Sequence, residues 1–229
     1  LTVIPGVRYD NNTEWGDTTN PRLSVIYRAL TWLKLSGNVG SGFQAPTFAD
    51  MADYDPVTGN ITQRTLPGPF PEKSWHYDVG FEIQPLEKLE IKTTLYRANI
   101  TDRLAFQGSG FGGSTRNIQD SYNQGVEVEI SHMFRDWLYQ NLNYSYLDSR
   151  GRGTGLAAGR LASDYVELRF SPNHRTNYTI EGTLAQLDAK LGSVLQYVTE
   201  QYTGNDRKGL KLPEYVVWNL YVSKKIKSF

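Results

Sequence analysis

Apolar and polar side chains take turns along most of this chain. In residues 73–83, Trp75, Tyr77, Val79, Phe81 and Ile83 share one parity, while Ser74, His76, Asp78, Gly80 and Glu82 share the other. Consecutive side chains of an extended strand point to opposite faces, so this run predicts a ribbon with one apolar and one polar side. The same period appears at Val3 to Tyr9, at Leu23, Val25 and Tyr27, and at Leu33, Leu35 and Val39. It returns at Val126, Val128 and Ile130, at Leu142, Tyr144 and Tyr146, at Tyr178 and Ile180, at Leu191, Leu195 and Tyr197, and at Val216, Trp218, Leu220 and Val222. About ten strands are predicted, many of them reaching the roughly 9 to 11 residues with which a tilted strand crosses a bilayer. In "LEIKTTLYRANI", Leu89, Ile91 and Leu95 give way to Tyr96, Ala98 and Ile100, a change of parity that predicts a bulge.

The connections fall into two kinds. Short ones at "ALTW", "PLEK", "FRDW" and "LAQLD" alternate with long, polar, Gly-rich ones at residues 10–21, 43–72, 107–116, 149–164 and 203–212. Regular alternation sends every long connection to the same end of the sheet, as in an outer-membrane barrel with tight turns at one rim and loops at the other. Aromatic residues punctuate both ends. Trp32 and Trp137 follow short turns, while Trp75, Tyr77, Tyr144, Tyr146 and Tyr202 lie toward the long connections, the distribution expected of two interfacial belts. So many carboxylates on one side of the ribbons are too costly for a dry core, so that side is assigned to a wet interior and the other to lipid.

Composition agrees with strands and removes several function classes. Aromatic residues make up 13% of the 229, and 21 are glycine. Formal net charge is zero, with no run of five like charges to neutralise phosphates, which argues against a nucleic-acid partner. There is no cysteine, hence no disulfide or thiolate metal site. No apolar stretch is long enough for a transmembrane helix, although transmembrane strands need none. No nucleophile elbow, zinc-protease helix, phosphate loop or dinucleotide fingerprint occurs, and His76, His132 and His174 fall on different strands, so the expectation is not an enzyme. The chain opens directly on "LTVIPGVRYD", which is expected of a piece taken from inside a mature protein.

Several segments occur in a telling order: "NPRLSVIYR" (20–28), "GFQAPTF" (42–48), "LPGPFPEKS" (66–74), "NIQDSYNQGVEVEI" (117–130), "NYSYLD" (143–148) and "SPNH" (171–174). Together they resemble the barrel of TonB-dependent outer-membrane receptors over essentially the whole chain. The resemblance implies an all-β, antiparallel up-and-down transmembrane barrel of 22 strands, of which residues 1–229 hold a partial set of about ten. It also implies a plug inside the barrel, first and last strands beyond this chain, and TonB-coupled import of a scarce nutrient such as a ferric siderophore or cobalamin. Partners implied are outer-membrane lipid, the plug, the TonB complex and a nutrient chelate. Pro46 and Thr47 would end a strand entering an extracellular loop, and Pro71 and Glu72 would begin the return. Asn117, Gly125 and Glu127 would share one strand.

Within that frame, ligand-binding candidates are the loop aromatics Phe43, Tyr54, Phe106 and Phe111. His76, Asp78, Glu82, Glu127 and Glu129 are candidates for the plug-facing lumen. Asp50, Asp53 and Asp55 put three oxygen donors in six residues, a calcium possibility without the spacing of an EF-hand; a solvated acidic loop is the competing reading, and no other cofactor is expected. Two further readings stay open: a soluble carbohydrate-binding β-sandwich module, with the same apolar residues in a dry core, and an outer-membrane diffusion pore without a plug.

Overall fold

Where alternation is long, the backbone is extended. The computed structural model describes residues 1–54, 61–63, 69–109, 112–153, 156–157 and 159–226, with the backbone alone at 52–54, 61–63, 106–109 and 112–114. Ten long strands follow one another: β1 (Thr2–Asp10), β2 (Thr18–Leu30), β3 (Leu33–Gln44), β4 (Glu72–Leu86), β5 (Leu89–Ser109), β6 (Gly112–Arg135), β7 (Leu138–Arg152), β8 (His174–Leu184), β9 (Ala189–Val198) and β10 (Tyr215–Lys224). Each pairs antiparallel with the next, so spatial order is sequence order with no crossover. The short strand Val166–Glu167 adds to β7 above β8. Two small hairpins, Ala52–Tyr54 with Ile61–Gln63 and Gln201–Tyr202 with Lys211–Leu212, stand apart in the connections. Among the described residues no helix is long and apolar enough to cross a membrane.

Directly opposed residues share a face, so the register sorts the side chains. One row runs Ile83, Ile91, Ile130, Leu142, Tyr178, Leu195 and Trp218. A row of the other parity runs Lys34, Glu82, Lys92, Glu129, Asn143, Asn177 and Gln196. The parity predicted for residues 73–83 thus extends across the whole sheet. The apolar face is not a buried core: Val79 is 60% exposed, Leu191 51%, Trp218 66% and Val222 72%. Among the described residues no second sheet covers it. A β-sandwich packs this kind of face against another sheet about 10 Å away, so the sandwich reading finds no support in the fold.

The structure corrects three expectations. The bulge predicted at residues 95–96 is absent, because the β5–β6 ladder runs in one register from Leu89↔His132 to Thr101↔Asp120. The apolar residues that suggested it, Tyr96 and Ala98, stand on the polar face, where Tyr96 lies against Gly125, whose position leaves no room for a side chain. Bulges occur instead next to three short turns, between Arg28 and Leu30, Ile83 and Leu86, and Met133 and Arg135. Residues 107–116 are not a loop: β5 and β6 stay paired to Ser109↔Gly112, forming an arm beyond the other strands. Alternation disappears there because an arm with no apolar layer beside it needs only its backbone hydrogen bonds. Tyr202 belongs to a loop hairpin rather than a strand end, its carbonyl accepting from Phe170 N.

Candidate functional site

The polar face is held by side chains whose partners sit on a neighbouring strand or two residues along the same one. Lys34 pairs with Glu82 across the β3–β4 ladder, and Lys92 with Glu90 along β5 at 2.9 Å. Asn141 donates to Glu129 Oε1 at 3.2 Å and to Ser131 Oγ at 2.9 Å, and Asn143 donates to Asn141. Opposite charges facing each other across a ladder stabilise the pairing by a few tenths of a kcal/mol each, up to about 1. Of the lumen candidates, Asp78 Oδ1 accepts from Asn38 Nδ2 at 2.5 Å, and His76 Nε2 lies 3.0 Å from Ser74 Oγ. The register places His76, Asp78, Glu82, Glu127 and Glu129 on this one face. Between β5 and β8 it hollows into a groove of about 340 Å³, lined by Lys92, Glu127, Glu129, Asn143, Arg175 and Asn177. With cations and carboxylates side by side, such a groove suits a polar protein surface better than an apolar ligand.

The long-connection end is organised around the β5–β6 arm. Asn117 on β6 holds the returning limb of the 45–71 connection: its Oδ1 accepts from Phe70 N at 2.5 Å, and its Nδ2 donates to Phe70 O at 2.7 Å and Asp102 O at 2.5 Å. Asp102 is left-handed, φ 55, a break in the ladder that Asn117 bridges. Glu72 Oε1 accepts from Leu104 N at 2.5 Å. The outgoing limb is tied as well. Burial pushes the Asp50 carboxyl up, but hydrogen bonds from the Thr47 hydroxyl and backbone N–H and from Thr115 on the arm outweigh it and hold the group below its ordinary value.

On the arm's other side, Ile118 packs with Leu156, Val166 and Leu168 in a small buried cluster. That cluster carries the 153–173 connection, which the 199–214 connection then locks. Arg160 grips Asp206 with two hydrogen bonds of 2.9 and 3.1 Å, and Arg207 pairs with Glu167 at 2.9 Å. Asn205 donates to Leu156 O at 3.0 Å and accepts from Arg169 N at 2.9 Å. The turn presenting these groups needs left-handed backbone at Asp206, φ 58, Arg207, φ 56, and Gly209, φ 79. The Arg160 guanidinium holds the Asp206 carboxyl below the usual carboxylate range.

The loop candidates separate. Phe43, opposite Lys73, has the parity of the apolar face and lies near Trp75 rather than over the groove. Phe106 is opposite Thr115 on the arm, and Tyr54 is opposite Ile61 in the small hairpin, where the backbone alone is described. Phe111 and Asp55 lie outside the described residues. Asp50 is engaged with Thr47, Asp53 is described by its backbone only, and among the described residues no three acidic or histidine side chains gather as a metal set. Sequence patterning gives no sign of Arg103, whose buried Nη1 has no hydrogen-bond partner among the described residues, or of the Asn117 and Asp206 anchors. "GNDRKG" at 204–209 is a visible turn signal, but its partners 34 to 49 residues away are not.

Comparison with known proteins agrees with this arrangement. Vitamin B12 transporter BtuB of Photobacterium profundum is 29% identical over 170 residues, covering 72% of this chain and 26% of the relative. The protein of the same name from Vibrio vulnificus is 28% identical over 131 residues, covering 56% and 20%. The chain therefore spans about a quarter of the length of these curated relatives. In structure it is similar to the ferric enterobactin receptor PfeA of Pseudomonas aeruginosa, with TM-score 0.72 and 16% identity over 98% of this chain and 35% of that one. The siderophore receptor PirA of Acinetobacter baumannii gives 0.73 and 15% over 98% and 37%. Residues 1–228 match the family described as TonB dependent receptor-like, beta-barrel. A two-faced meander of ten strands with its long connections gathered at one end, matched over nearly every residue, belongs to the β-barrel of the TonB-dependent receptor family.

Proposed function

We propose that this chain is part of an outer-membrane receptor that binds a scarce metal chelate, cobalamin or a ferric siderophore, and imports it with energy delivered through TonB. The observation that carries the reading is the division of the sheet into an exposed apolar face and a charged, hydrogen-bonded one. The apolar face meets hydrocarbon. The other, with His76, Asp78, Glu82, Glu127 and Glu129, lines the lumen against a plug contributed by the rest of the protein. A plug held by polar contacts in a wet lumen can shift when pulled, whereas an apolar interface would lock it. The anchored 45–71 connection and its neighbours receive the ligand, with Tyr54, Phe106 and Phe111 as contacts. Binding and transport of an intact chelate break no covalent bond and require no catalytic residue.

The test uses the intact receptor in its host membrane, with radiolabelled cyanocobalamin and a ferric catecholate siderophore as probes. High-affinity binding of one probe, and accumulation that stops when TonB is deleted, are expected. Passive accumulation of both, indifferent to TonB, would show an open pore instead.

A further inference from the structure

Three short turns are entered through a bulge, and each bulge moves the last strand residue onto the apolar face. In an unbroken β6–β7 ladder Phe134 would oppose Leu138, and Arg135 would carry the parity of the polar face. The bulge sets Arg135 opposite Leu138 instead. At the other two bulges this position holds Leu30, opposite Leu33, and Leu86, opposite Leu89. An arginine therefore stands where its two counterparts are leucine. No carboxylate pairs with it among the described residues. Its guanidinium lies 5.2 Å from the Phe134 ring centre, and Asp136 in the same turn is taken by Lys88.

One row toward the long connections, the same face is polar again. His132 opposes Gln140, and its ring stands edge to face with Phe134 at 5.6 Å between centres. The Tyr178 hydroxyl reaches down from the next row and donates to Gln140 Oε1 at 2.8 Å, which leaves both amide N–H groups of Gln140 to donate elsewhere. Trp218 reaches the same way, Nε1 donating at 2.8 Å to Ser193 Oγ one row below it. Two amphipathic rings that bond toward the short turns mark the lower edge of the hydrocarbon layer. Beside Leu138, Gly182 leaves the wall bare.

We propose that Arg135, His132 and Gln140 hold the phosphodiester of a glycerophospholipid from the periplasmic leaflet, with its glycerol over Gly182 and its acyl chains on Ile130, Leu142 and Leu195. The assignment rests on the reading that the apolar face meets hydrocarbon. The donors select the occupant. A guanidinium, an imidazole and an amide whose oxygen is already taken ask for an anionic oxygen, and the rows beyond them ask for alkyl chains, so one amphiphile satisfies both. The short turns put the site at the periplasmic rim. Tyr178 fixes the amide and the Phe134 ring steadies the guanidinium in advance, which reduces the entropy lost when they grip a phosphate. Polar side chains on a lipid-facing wall are costly unless they meet such a partner.

The intact receptor in nonionic detergent is exposed to phosphatidylglycerol or to diacylglycerol with the same chains, and retained lipid is counted by native mass spectrometry. About tenfold more retention of the phosphorylated lipid is expected, the weight of one charge-assisted phosphate contact. Arg135→Leu, which installs what the other two bulges carry, should remove that difference. Arg135→Lys should keep part of it, Tyr178→Phe should reduce it by releasing Gln140, and Lys73→Gln at the opposite rim should leave it intact. If Arg135→Leu fails to assemble, Gln140→Leu takes its place and should lower the preference. Equal retention of both lipids, no loss in either of those variants, or an equal loss in Lys73→Gln overturns the proposal. Displacement of the lipid by millimolar inorganic phosphate would make this a free-anion site and overturn it too. A fluorophore on Val79→Cys that lies in hydrocarbon while no phosphatidylglycerol is retained defeats this proposal alone; one that does not lie there defeats the reading beneath it.

Discussion

Gly192 faces Tyr221 directly across the β9–β10 ladder, and a methyl group placed on it would run into the tyrosine ring. The ring is held over the glycine by its hydroxyl, which donates to Glu181 Oε2 at 3.0 Å, the carboxylate that Lys190 grips at 2.7 Å. Gly125 on β6 is a different case: a side chain there would meet the backbone carbonyl of Tyr146 on β7 first and the Tyr96 hydroxyl second. At Gly192 a mid-strand glycine, otherwise a weak point, becomes a seat for an aromatic ring on the polar face. Gly192→Ala is therefore expected to destabilise the receptor by about 1–3 kcal/mol through overpacking, read from denaturant unfolding in detergent. In a Tyr221→Ser background most of that cost should vanish, the coupling expected of two residues in contact. An equal cost in both backgrounds would mean that the strain lies in the backbone.

At the scale of elements, the long connections are held by a few anchors rather than by a core. Asn117→Ala removes two hydrogen bonds that join the 45–71 connection to the β5–β6 arm, and a third, to Asp102 O, within the arm itself. Limited proteolysis should then cut this connection faster while the barrel's melting temperature barely moves; unchanged cleavage would place the anchor elsewhere. The Asp206 clamp has a defined pH sense. Its folded carboxyl is depressed by Arg160, so the clamp is fully present above the ordinary aspartate value of about 3.9 and is lost as pH falls below it. Hydrogen exchange at 199–214, corrected for intrinsic rates, should rise below that pH, and Asp206→Asn should show the raised rate at neutral pH. These anchors were the least legible part of the sequence. Strands such as 73–83 announce themselves because hydrocarbon on one side and water on the other impose a period of two on every residue. The arm at 107–116 has no such constraint and reads as a loop, and a contact such as Arg160 with Asp206 leaves no local trace. The polar-face candidates were legible from parity alone, but Phe43 was not, since only the register with Lys73 reveals its side of the sheet.

For the whole molecule, everything turns on what covers the apolar face. Exposed members such as Val79, Leu95, Leu191 and Trp218 spread across β4 to β10 as one layer rather than a patch. A water-soluble protein rarely leaves more than a few hundred Å² of contiguous apolar surface uncovered. The chain has no cysteine, so single-cysteine variants can be labelled cleanly within it. The most direct measurement attaches a fluorophore in turn to Val79→Cys, Leu95→Cys and Leu191→Cys, and to Ser36→Cys, Thr94→Cys and Thr179→Cys on the polar face, in the intact receptor reconstituted into bilayers. Quenchers fixed on lipid tails should darken the first three and spare the second three, which a water-soluble quencher should reach instead. The opposite pattern, or equal quenching on both faces, would contradict the account.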